Sequence, residues 1–411
     1  MSSFLVIGGG FVGAAAALRL QRAGFNVTLI DPGDMRRAAS FGNAGHLGAE
    51  QVSPWSTWEN LRGAPARLFG AGGALDFRLR DVALWGPWSL GFMAACAPQR
   101  VEAGRRALST ILSQAVPAWL RLAADAGAPD LVRPHGHNNV WMSPLQAERG
   151  QRAWAKAHLG ECSARPMSSE ELARYEGVLT RAPAAGLHVN GTGQLRDPQA
   201  ARDAILSSLR NGGGEIVADA VVGLRLGARI TATLSSGATR DGDLLLVAAG
   251  AWSRDLMRML DVNAPVIGER GYSVQSAEHI WPEDLPTTVF EERSVVLSRF
   301  TSGLRATSFL EFGAPDAPPD PRKWATLERH LRELGVRFAS TPDRWVGPRP
   351  TLPDYLPAIG RLQRDPRAFY AFGHQHLGVT MSAITSELIE ALATGRAATI
   401  DLTPFRVERF A

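Results

Sequence analysis

Three glycines near the start of the chain have the spacing of a phosphate-binding turn. Gly8, Gly10 and Gly13 follow the apolar run 4–7, which predicts a buried strand, and they lead into a helical run over 14–23. The first glycine allows a tight turn, the second lets a pyrophosphate approach the backbone, and the third lets the helix pack on the strand. The free N–H groups of the helix N-terminus would face the phosphates. The spacing therefore predicts a bound dinucleotide.

An acidic residue after the second predicted strand narrows the choice of dinucleotide. Residues 26–30 form that strand, and Asp31 is placed to accept hydrogen bonds from a ribose. A carboxylate at this position disfavours the additional phosphate of NADP. The glycine motif does not distinguish FAD from NAD, but its position in the chain is typical of proteins with resident FAD.

Two later segments place small residues after apolar strands. The run 243–247 predicts a buried central strand, and the mostly small residues 248–253 would let a ligand approach the backbone closely. Near the C-terminus, a strand at 368–372 leads through Gly373 and Gly378 into a final helix. The positive end of that helix dipole would suit the anionic end of a reduced flavin.

Taken in order, these segments resemble the FAD-dependent D-amino acid oxidase/dehydrogenase superfamily. The chain is most similar to its bacterial D-amino acid dehydrogenase branch, which includes D-hydroxyproline dehydrogenases. The resemblance covers essentially the whole chain, and the ordered set of segments is more specific than any one of them. The segments are the N-terminal glycine motif, 40–45 (Ser-Phe-Gly-Asn-Ala-Gly), 193–198, 247–253, 270–273, 347–350 and 373–378.

The resemblance implies an α/β protein with two domains. One is a Rossmann-like FAD-binding domain, and the other is an α+β substrate domain whose mixed, largely antiparallel sheet covers the flavin ring. We expect the FAD-binding domain to be discontinuous, over residues 1–54, 165–262 and 345–411. Residues 55–164 and 263–344 are then expected to form the substrate-binding domain.

The resemblance also implies oxidation of a D-amino acid or a D-proline-type amine. Hydride passes from the α-carbon to flavin N5, and water hydrolyses the imine to an oxo acid. Neither Cys96 nor Cys162 matches the position of the cysteine in relatives with covalent flavin, so we expect non-covalent FAD. The residues expected to bind it are Gly8, Gly10, Phe11, Val12, Gly13, Asp31, Ser40, Asn43, Ala44, Gly45, Val221, Ala249, Gly250, Trp252, Gly373, His374, His376, Leu377, Gly378, Val379 and Thr380.

Arg349 is the residue that the resemblance assigns to the substrate carboxylate. It matches the arginine of the family's Gly-x-Arg-Pro motif, and a planar guanidinium can bind a carboxylate through two parallel hydrogen bonds. The alternative is an ordinary surface arginine in an arginine-rich chain. We also expect substrate contacts from His376, His46 and Tyr272, each of which could instead be a buried structural side chain. No metal ligands are predicted.

One departure from the family concerns the second donor to the carboxylate. Several relatives carry a tyrosine on a substrate-domain strand, whereas the corresponding residues 294–297 include none. Arg299 and Arg305 lie nearby in the sequence and are the alternative candidates. A different second donor would accompany a substrate that is not a standard one.

The composition is that of a globular enzyme. The 411 residues carry a formal net charge of +4, and no basic run is interleaved with aromatics as in a nucleic-acid-binding protein. The cysteines form no CxxC pair, which favours a reduced, cytoplasmic setting. Trp85, Trp88 and Phe92 could present an apolar helix face to a quinone or to the inner face of a membrane, as a peripheral contact. A core stripe is the preferred interpretation of their spacing.

Other functions stay open at this point. The chain could oxidise glycine, sarcosine or another secondary amine. It could be a flavin-bearing electron-transfer or scaffold subunit of a larger complex, or an NAD-dependent dehydrogenase. For the preferred reaction, the electron acceptor could be a quinone, an electron-transfer protein or oxygen.

Overall fold

The computed structural model describes residues 2–411. The α-helices are α1 Phe11–Arg22, α2 Trp58–Arg67, α3 Val82–Ala95, α4 Pro98–Leu112, α5 Ala115–Asp125, α6 Pro144–Trp154, α7 Ser169–Ala173, α8 Pro198–Asn211, α9 Ser253–Met259, α10 Pro321–Leu334 and α11 Gly378–Thr394. The strands are β1 Ser3–Ile7, β2 Asn26–Asp31, β3 His46–Leu47, β4 Leu75–Phe77, β5 Val132–Arg133, β6 His137–Trp141, β7 Ser163–Pro166, β8 Ala185–Asn190, β9 Gly193–Leu195, β10 Glu215–Ala218, β11 Val221–Leu226, β12 Ile230–Leu234, β13 Thr239–Gly242, β14 Leu244–Val247, β15 Ile267–Ser276, β16 Thr288–Phe290, β17 Val295–Phe300, β18 Gly303–Gly313, β19 Asp343–Thr351, β20 Ala358–Arg361 and β21 Ala368–Phe372.

The first sheet is the parallel sheet that the sequence predicts. Its strand order is β10-β2-β1-β14-β21-β20, and neighbouring strands are parallel except for β20 and β21. One face packs on α1 and α11, and the other packs on α9 and the small sheet β11-β12-β13. Because both faces are covered, residues 4–7 of β1 are at most 4% exposed, which explains their unbroken apolar run. The Rossmann-like expectation is confirmed.

The second sheet is mixed and largely antiparallel, as expected. Its strand order is β19-β15-β18-β17-β16-β6-β8-β7, with β4 beside β18. The pairs β6–β16 and β4–β18 are parallel, and the other neighbours are antiparallel. Leucines of α10 pack on one face together with residues of β15 and β17.

The cores divide the chain differently from the domain bounds expected from the sequence. Helices α4 and α5 bury their apolar residues in one cluster with α1 and α11, on the first sheet. Strands β7, β8 and β19 are hydrogen-bonded into the second sheet. We therefore propose that residues 98–125 belong to the FAD-binding domain, and that 163–190 and 343–351 belong to the substrate-binding domain. The physical reason is that packing and strand pairing follow spatial contact rather than chain order.

Helix α3 contributes the aromatic stripe that the sequence singles out. Trp88 is 6% exposed and packs on Phe312 and Tyr355, and Phe92 stacks beside it. This packing favours the core interpretation of the stripe, although Leu90 of the same helix is 65% exposed. Across residues 2–411, none of the helices combines the length and apolarity that crossing a bilayer requires. Peripheral membrane contact stays a prediction.

Arg305 on β18 ties the second sheet to the segment 40–45. Its Nη1 donates to the carbonyl oxygens of Phe41 and Asn43, at 2.9 and 2.8 Å, and its Nε donates to Gln275 at 2.8 Å. The side chain is almost fully buried, and this burial lowers the pKa of Arg305 to about 10. The guanidinium therefore serves as a structural bridge between the second sheet and the segment 40–45.

This bridge can be tested with Arg305→Met, which keeps much of the side-chain volume but none of the donors. We expect the free energy of unfolding to fall by about 1.5–3 kcal/mol, since charge-assisted bonds to two carbonyl groups are lost. Urea unfolding followed by tryptophan fluorescence measures this. Arg329→Met is the matched control, because Arg329 is largely exposed on α10. Equal stability of the two variants would contradict the bridging role.

Candidate functional site

A cavity of about 1450 Å³ lies between the two sheets, at the carboxyl ends of the parallel strands. Ligands of open α/β sheets bind at this edge. Ordinary small-molecule pockets have roughly 300–1,000 Å³, so this cavity has room for a dinucleotide and a small second molecule. Residues after β1, β2, β14 and β21 line one part of it, and residues of β18 and β19 line another.

The glycine turn shapes the phosphate end of the cavity. A Cβ on Gly13 would lie 1.9 Å from the carbonyl oxygen of Gly8, so α1 can approach β1 only with glycine there. Gly8 itself has φ +105°, a conformation that favours glycine. A Cβ on Gly10 would approach only Ser40 Oγ, at 3.1 Å, which leaves the space in front of the helix N-terminus open.

The surroundings of this N-terminus fit a bound pyrophosphate. The first turn of α1 has no acidic side chain. Asp31 lines the cavity, where its Oδ2 accepts from Gly9 N at 2.6 Å and its Oδ1 from Gly33 N at 2.9 Å. Each carboxylate oxygen retains capacity for a ribose hydroxyl. Gly250 has φ +57° and open space around its Cβ position, so backbone can approach a ligand there too.

Most residues expected to bind the cofactor line this one cavity. They are Gly8, Gly10, Phe11, Val12, Asp31, Ser40, Asn43, Ala44, Gly45, Val221, Ala249, Gly250, Trp252, His374, His376, Leu377, Gly378, Val379 and Thr380. Gly13 and Gly373 are not in the lining. Gly13 packs α1 on β1, and Gly373 has φ +78° in the turn after β21, where a Cβ would lie 2.4 Å from Leu352. Their roles are therefore in backbone geometry.

Tyr272 does not lie where the sequence predicts. It is fully buried in the second sheet, outside the cavity lining, and its hydroxyl donates to Glu311 at 3.0 Å. Lys323 donates to the same carboxylate at 2.5 Å, and Arg270 pairs with it as well. The structure thus places Tyr272 outside the cavity, where a buried ionic network uses its hydroxyl.

Arg349 lies in the cavity lining, as expected, and has a partner that the sequence did not reveal. Its Nη1 lies 3.3 Å from Glu269 Oε1 and donates to the carbonyl oxygen of Phe309 at 3.0 Å. The antiparallel register of β15 and β19 pairs Glu269 directly with Arg349. A Cβ on Gly271 would lie 2.3 Å from the guanidinium, so this glycine makes room for it. About a fifth of the arginine side chain stays exposed to the cavity.

The carboxylate of Glu269 is fully buried and gathers further donors. Tyr355 Oη donates to its Oε2 at 3.0 Å, and Thr351 Oγ1 lies 3.4 Å from the same oxygen. Burial raises the pKa of Glu269, against the lowering effect of Arg349. Tyr355 also lines the cavity and stacks on Trp55 with ring centroids 6.2 Å apart. Tyr355 is thus a tyrosine close to Arg349, and it comes from a segment other than residues 294–297, where several relatives carry theirs.

Neither alternative arginine lines the cavity. Arg305 is occupied by the carbonyl groups of Phe41 and Asn43, and Arg299 Nη1 lies 3.7 Å from Glu283. Neither guanidinium therefore faces the cavity, since that of Arg305 is bonded to the segment 40–45 and that of Arg299 lies beside Glu283. Sequence proximity to 294–297 was the only basis for expecting a second donor to a substrate carboxylate here.

The two histidines before α11 have different surroundings. His374 Nε2 is hydrogen-bonded to Thr385 Oγ1 at 3.0 Å, and burial lowers its pKa to about 3. His376 Nε2 is hydrogen-bonded to Gln51 Oε1 at 2.6 Å, and its ring lies 5.5 Å from that of Trp55. Burial lowers the pKa of His376 to about 3, and the nearby guanidinium of Arg349 adds to this. His376 is therefore a neutral hydrogen-bonding side chain in the cavity.

A second polar cluster, which we call the Glu50 cluster, consists of Glu50, His46 and His137. All three residues line the cavity. Glu50 Oε1 lies 3.7 Å from His46 Nε2 and 4.0 Å from His137 Nε2. Only His46 was expected from the sequence. Glu50 lies four residues after it, but no pattern linked either residue to His137. One ring nitrogen of each histidine and one carboxylate oxygen of Glu50 all lie within 4.8 Å of one another.

Comparison with known proteins shows the family of the chain. The profile of the family described as FAD dependent oxidoreductase matches residues 3–392. A D-amino-acid oxidase of Bradyrhizobium diazoefficiens is 30% identical, over 98% of this chain and 98% of that protein. A D-amino acid dehydrogenase of Chromohalobacter salexigens is 26% identical, over 99% of each.

A solved structure shows the same fold. Glycine oxidase from Geobacillus kaustophilus superimposes with a TM-score of 0.73, over 99% of both chains, at 18% identity. Together with the family match, this confirms the superfamily, the type of fold and FAD as the cofactor, and it removes the NAD-dependent alternative. The chain belongs to the DAO family of FAD-dependent oxidoreductases, whose relatives named here are oxidases and dehydrogenases of amino acids.

Proposed function

We propose that the protein oxidises the α-carbon of a D-amino acid or a D-proline-type amine and yields an imine that water converts to an oxo acid. When bound, FAD accepts the hydride from the α-carbon. The observation that carries the proposal is the cavity-facing guanidinium of Arg349, in the same cavity as the glycine turn and the loop before α11. The names of the two curated relatives support the D configuration.

Arg349 would bind the substrate carboxylate. Its Nη1 is engaged by Glu269 and Phe309, and its other nitrogens can donate to a ligand. Glu269 holds the guanidinium in place through the strand register, so the arginine is oriented before the substrate arrives. Such positioning fixes the α-carbon relative to the cofactor, which is the main requirement of hydride transfer.

The wall beside Arg349 favours a substrate with a side chain over glycine. The rings of Trp88 and Phe92 lie 6.2 and 6.0 Å from that of Tyr355, and the ring of Trp55 stacks on Tyr355 at 6.2 Å. These residues line the cavity and provide apolar surface for an alkyl or pyrrolidine group. A glycine- or sarcosine-type amine would leave this surface unfilled.

The substrate class can be tested by anaerobic bleaching of the flavin in the purified protein. We expect bleaching with D-alanine, larger apolar D-amino acids or D-proline, and much slower bleaching with glycine and sarcosine. The L-enantiomers serve as matched controls. A scaffold or electron-transfer subunit would not bleach with any of them. Repeating the reaction under air and with a quinone or dye then separates an oxidase from a dehydrogenase.

Gly10→Val tests the cofactor site. The branched side chain would occupy the open space before α1, so we expect a folded protein with little or no FAD. Gly70→Val is the control, because Gly70 is exposed and its Cβ position is free of neighbours. The ratio of absorbance at 450 and 280 nm measures retention, and acid precipitation should release the FAD of the wild type into the supernatant. Normal FAD content in Gly10→Val would place the pyrophosphate elsewhere.

Arg349→Lys tests the carboxylate site. The lysine keeps a positive charge next to buried Glu269 but loses the planar guanidinium that can donate two parallel hydrogen bonds. We therefore expect the free energy of substrate binding to weaken by no more than about 1.5–3 kcal/mol, which corresponds to a loss of affinity of up to about 150-fold. Stopped-flow flavin reduction at varied substrate concentration gives the affinity and the rate separately. Arg349→Ala is less clean, because it leaves the carboxyl of Glu269 without its cation.

Glu269→Gln is the matched control for Arg349→Lys. The amide can still accept from Tyr355, and Arg349 is left unchanged. We expect FAD content to be normal and substrate affinity to change less than in Arg349→Lys. Unchanged affinity and rate in Arg349→Lys would show that another residue binds the carboxylate.

A further inference from the structure

Glu50, in the cluster with His46 and His137, is a buried carboxyl group that the proposed reaction has not yet used. Glu50 is 6% exposed, and its Oε2 has no hydrogen-bond partner. Within residues 2–411, the basic groups within 4 Å of this carboxylate are His46 and His137, with no arginine or lysine among them. Taking a carboxylate out of water without a cation is costly, so its retention here points to a cationic ligand.

The cluster is oriented towards the cavity. His137 Nδ1 is hydrogen-bonded to Thr192 Oγ1 at 2.9 Å, which turns Nε2 towards Glu50. The rings of His46 and His137 lie 4.5 Å apart, nearly perpendicular to each other. Both ring nitrogens of His46 are buried without a partner. An imidazole held beside a carboxylate, with free nitrogens in a ligand cavity, is arranged to exchange a proton.

The charges support the same interpretation. Burial by itself raises the pKa of Glu50, but His137 and His46 outweigh this effect and hold that pKa below its usual range. Burial lowers the pKa of His137 to about 3. The other titratable or charged groups that act on the cluster are His376, His188 and Cys162. A cation bound beside Glu50 would therefore stabilise the ionised form of its carboxyl group.

The cluster and Arg349 belong to one cavity and have opposite charges. The charges of Glu50 and Arg349 both affect the pKa of His376. The ring of His376 lies 5.5 Å from that of Trp55, and Trp55 stacks on Tyr355. Tyr355 in turn donates to Glu269, the partner of Arg349. An amino acid is a zwitterion, with an anionic carboxylate and a cationic ammonium group. The guanidinium of Arg349 is complementary in charge to the carboxylate, and the carboxylate of Glu50 is complementary in charge to the ammonium group.

We propose that Glu50 binds the ammonium group of the substrate and that His46 accepts its proton, a role that rests on the proposed function. An N–H bond of the ammonium breaks, and an N–H bond forms on a ring nitrogen of His46. The freed lone pair of the amine then forms the C=N bond as the α-hydrogen leaves with both electrons of its C–H bond to the cofactor. Glu50 stabilises the imidazolium that results.

The binding part is tested without turnover, using 2-aminoisobutyrate and pivalate. The first is an amino acid without an α-hydrogen, and the second has a methyl group in place of the amine. Titration of the oxidised holoenzyme, followed by flavin absorbance or calorimetry, should show tighter binding of 2-aminoisobutyrate by about tenfold or more. In Glu50→Gln this preference should disappear, while pivalate binds with little change.

Glu292→Gln is the matched control, because Glu292 is another cavity-lining carboxylate, outside the cluster. It should keep the preference for the amino acid. Glu50→Gln should also raise the melting temperature of the ligand-free holoenzyme, since it removes a buried charge. If that variant does not fold, Glu50→Leu replaces it with the same expectations. An unchanged preference in the Glu50 variant, or an equal loss in Glu292→Gln, would overturn the ammonium site.

His46→Gln tests the proton transfer. We expect 2-aminoisobutyrate to bind nearly as in the wild type, whereas flavin reduction at saturating substrate slows by about 10²-fold or more, the usual contribution of a general base. The loss should shrink as the pH rises, because free amine then comes from solution. A rate equal to that of the wild type at neutral pH would overturn the role of His46.

These results separate the two proposals. If Arg349→Lys weakens pivalate binding but Glu50→Gln has no effect, only the ammonium site is wrong. If neither variant affects either ligand, the proposed function is wrong as well. Stoichiometric zinc in the purified holoenzyme that Glu50→Gln removes would show that the cluster is a metal site, which would also overturn the proposal.

Discussion

The contact between Gly13 and the carbonyl oxygen of Gly8 is the constraint on which the site depends. It brings α1 so close to β1 that a methyl group would not fit between them. Helix α1 therefore starts at the carboxyl edge of the sheet with its N–H groups directed outwards. Helix α11 packs against α1 and begins at the same edge, so the loop before it is drawn into the same cavity.

The second sheet is held over this edge by polar contacts and by close aromatic contacts. Arg305 binds carbonyl groups of the segment 40–45, and Trp345 Nε1 donates to the carbonyl oxygen of Arg36 at 2.7 Å. A Cβ on Gly42 would lie 1.9 Å from the Trp345 ring. The segment 40–45 thus has two roles. It contacts the second sheet, and several of its residues line the cavity.

Two of the charged groups that line the cavity differ in how far the protein compensates their charge. Arg349 is balanced by Glu269, to which Tyr355 and Thr351 add hydrogen bonds, so it is held in position with the protein's own charge satisfied. Among residues 2–411, the basic groups within 4 Å of the Glu50 carboxylate are two imidazoles, those of His46 and His137. Because Glu269 compensates its charge, Arg349 can select a planar carboxylate through the geometry of its hydrogen bonds. In the part of the chain that the structure describes, Glu50 has no such compensating ion and therefore favours any cation that reaches it.

The sequence by itself determined the local elements and the cofactor. Glycine spacing, unbroken apolar strands and the terminal acid Asp31 are short-range patterns, and they predicted the βαβ unit, the central strand β14 and the helix α11 with its loop. The family resemblance, which depends on the same segments, predicted Arg349 and the expected cofactor-binding residues that line the cavity. Only the tertiary structure decided which side chains meet. Register places Glu269 opposite Arg349, a buried network removes Tyr272 from the site, and sheet packing brings His137 to Glu50. These contacts join residues far apart in the chain, and no local spacing encodes them because they follow from strand pairing within the second sheet and from the packing of distant segments.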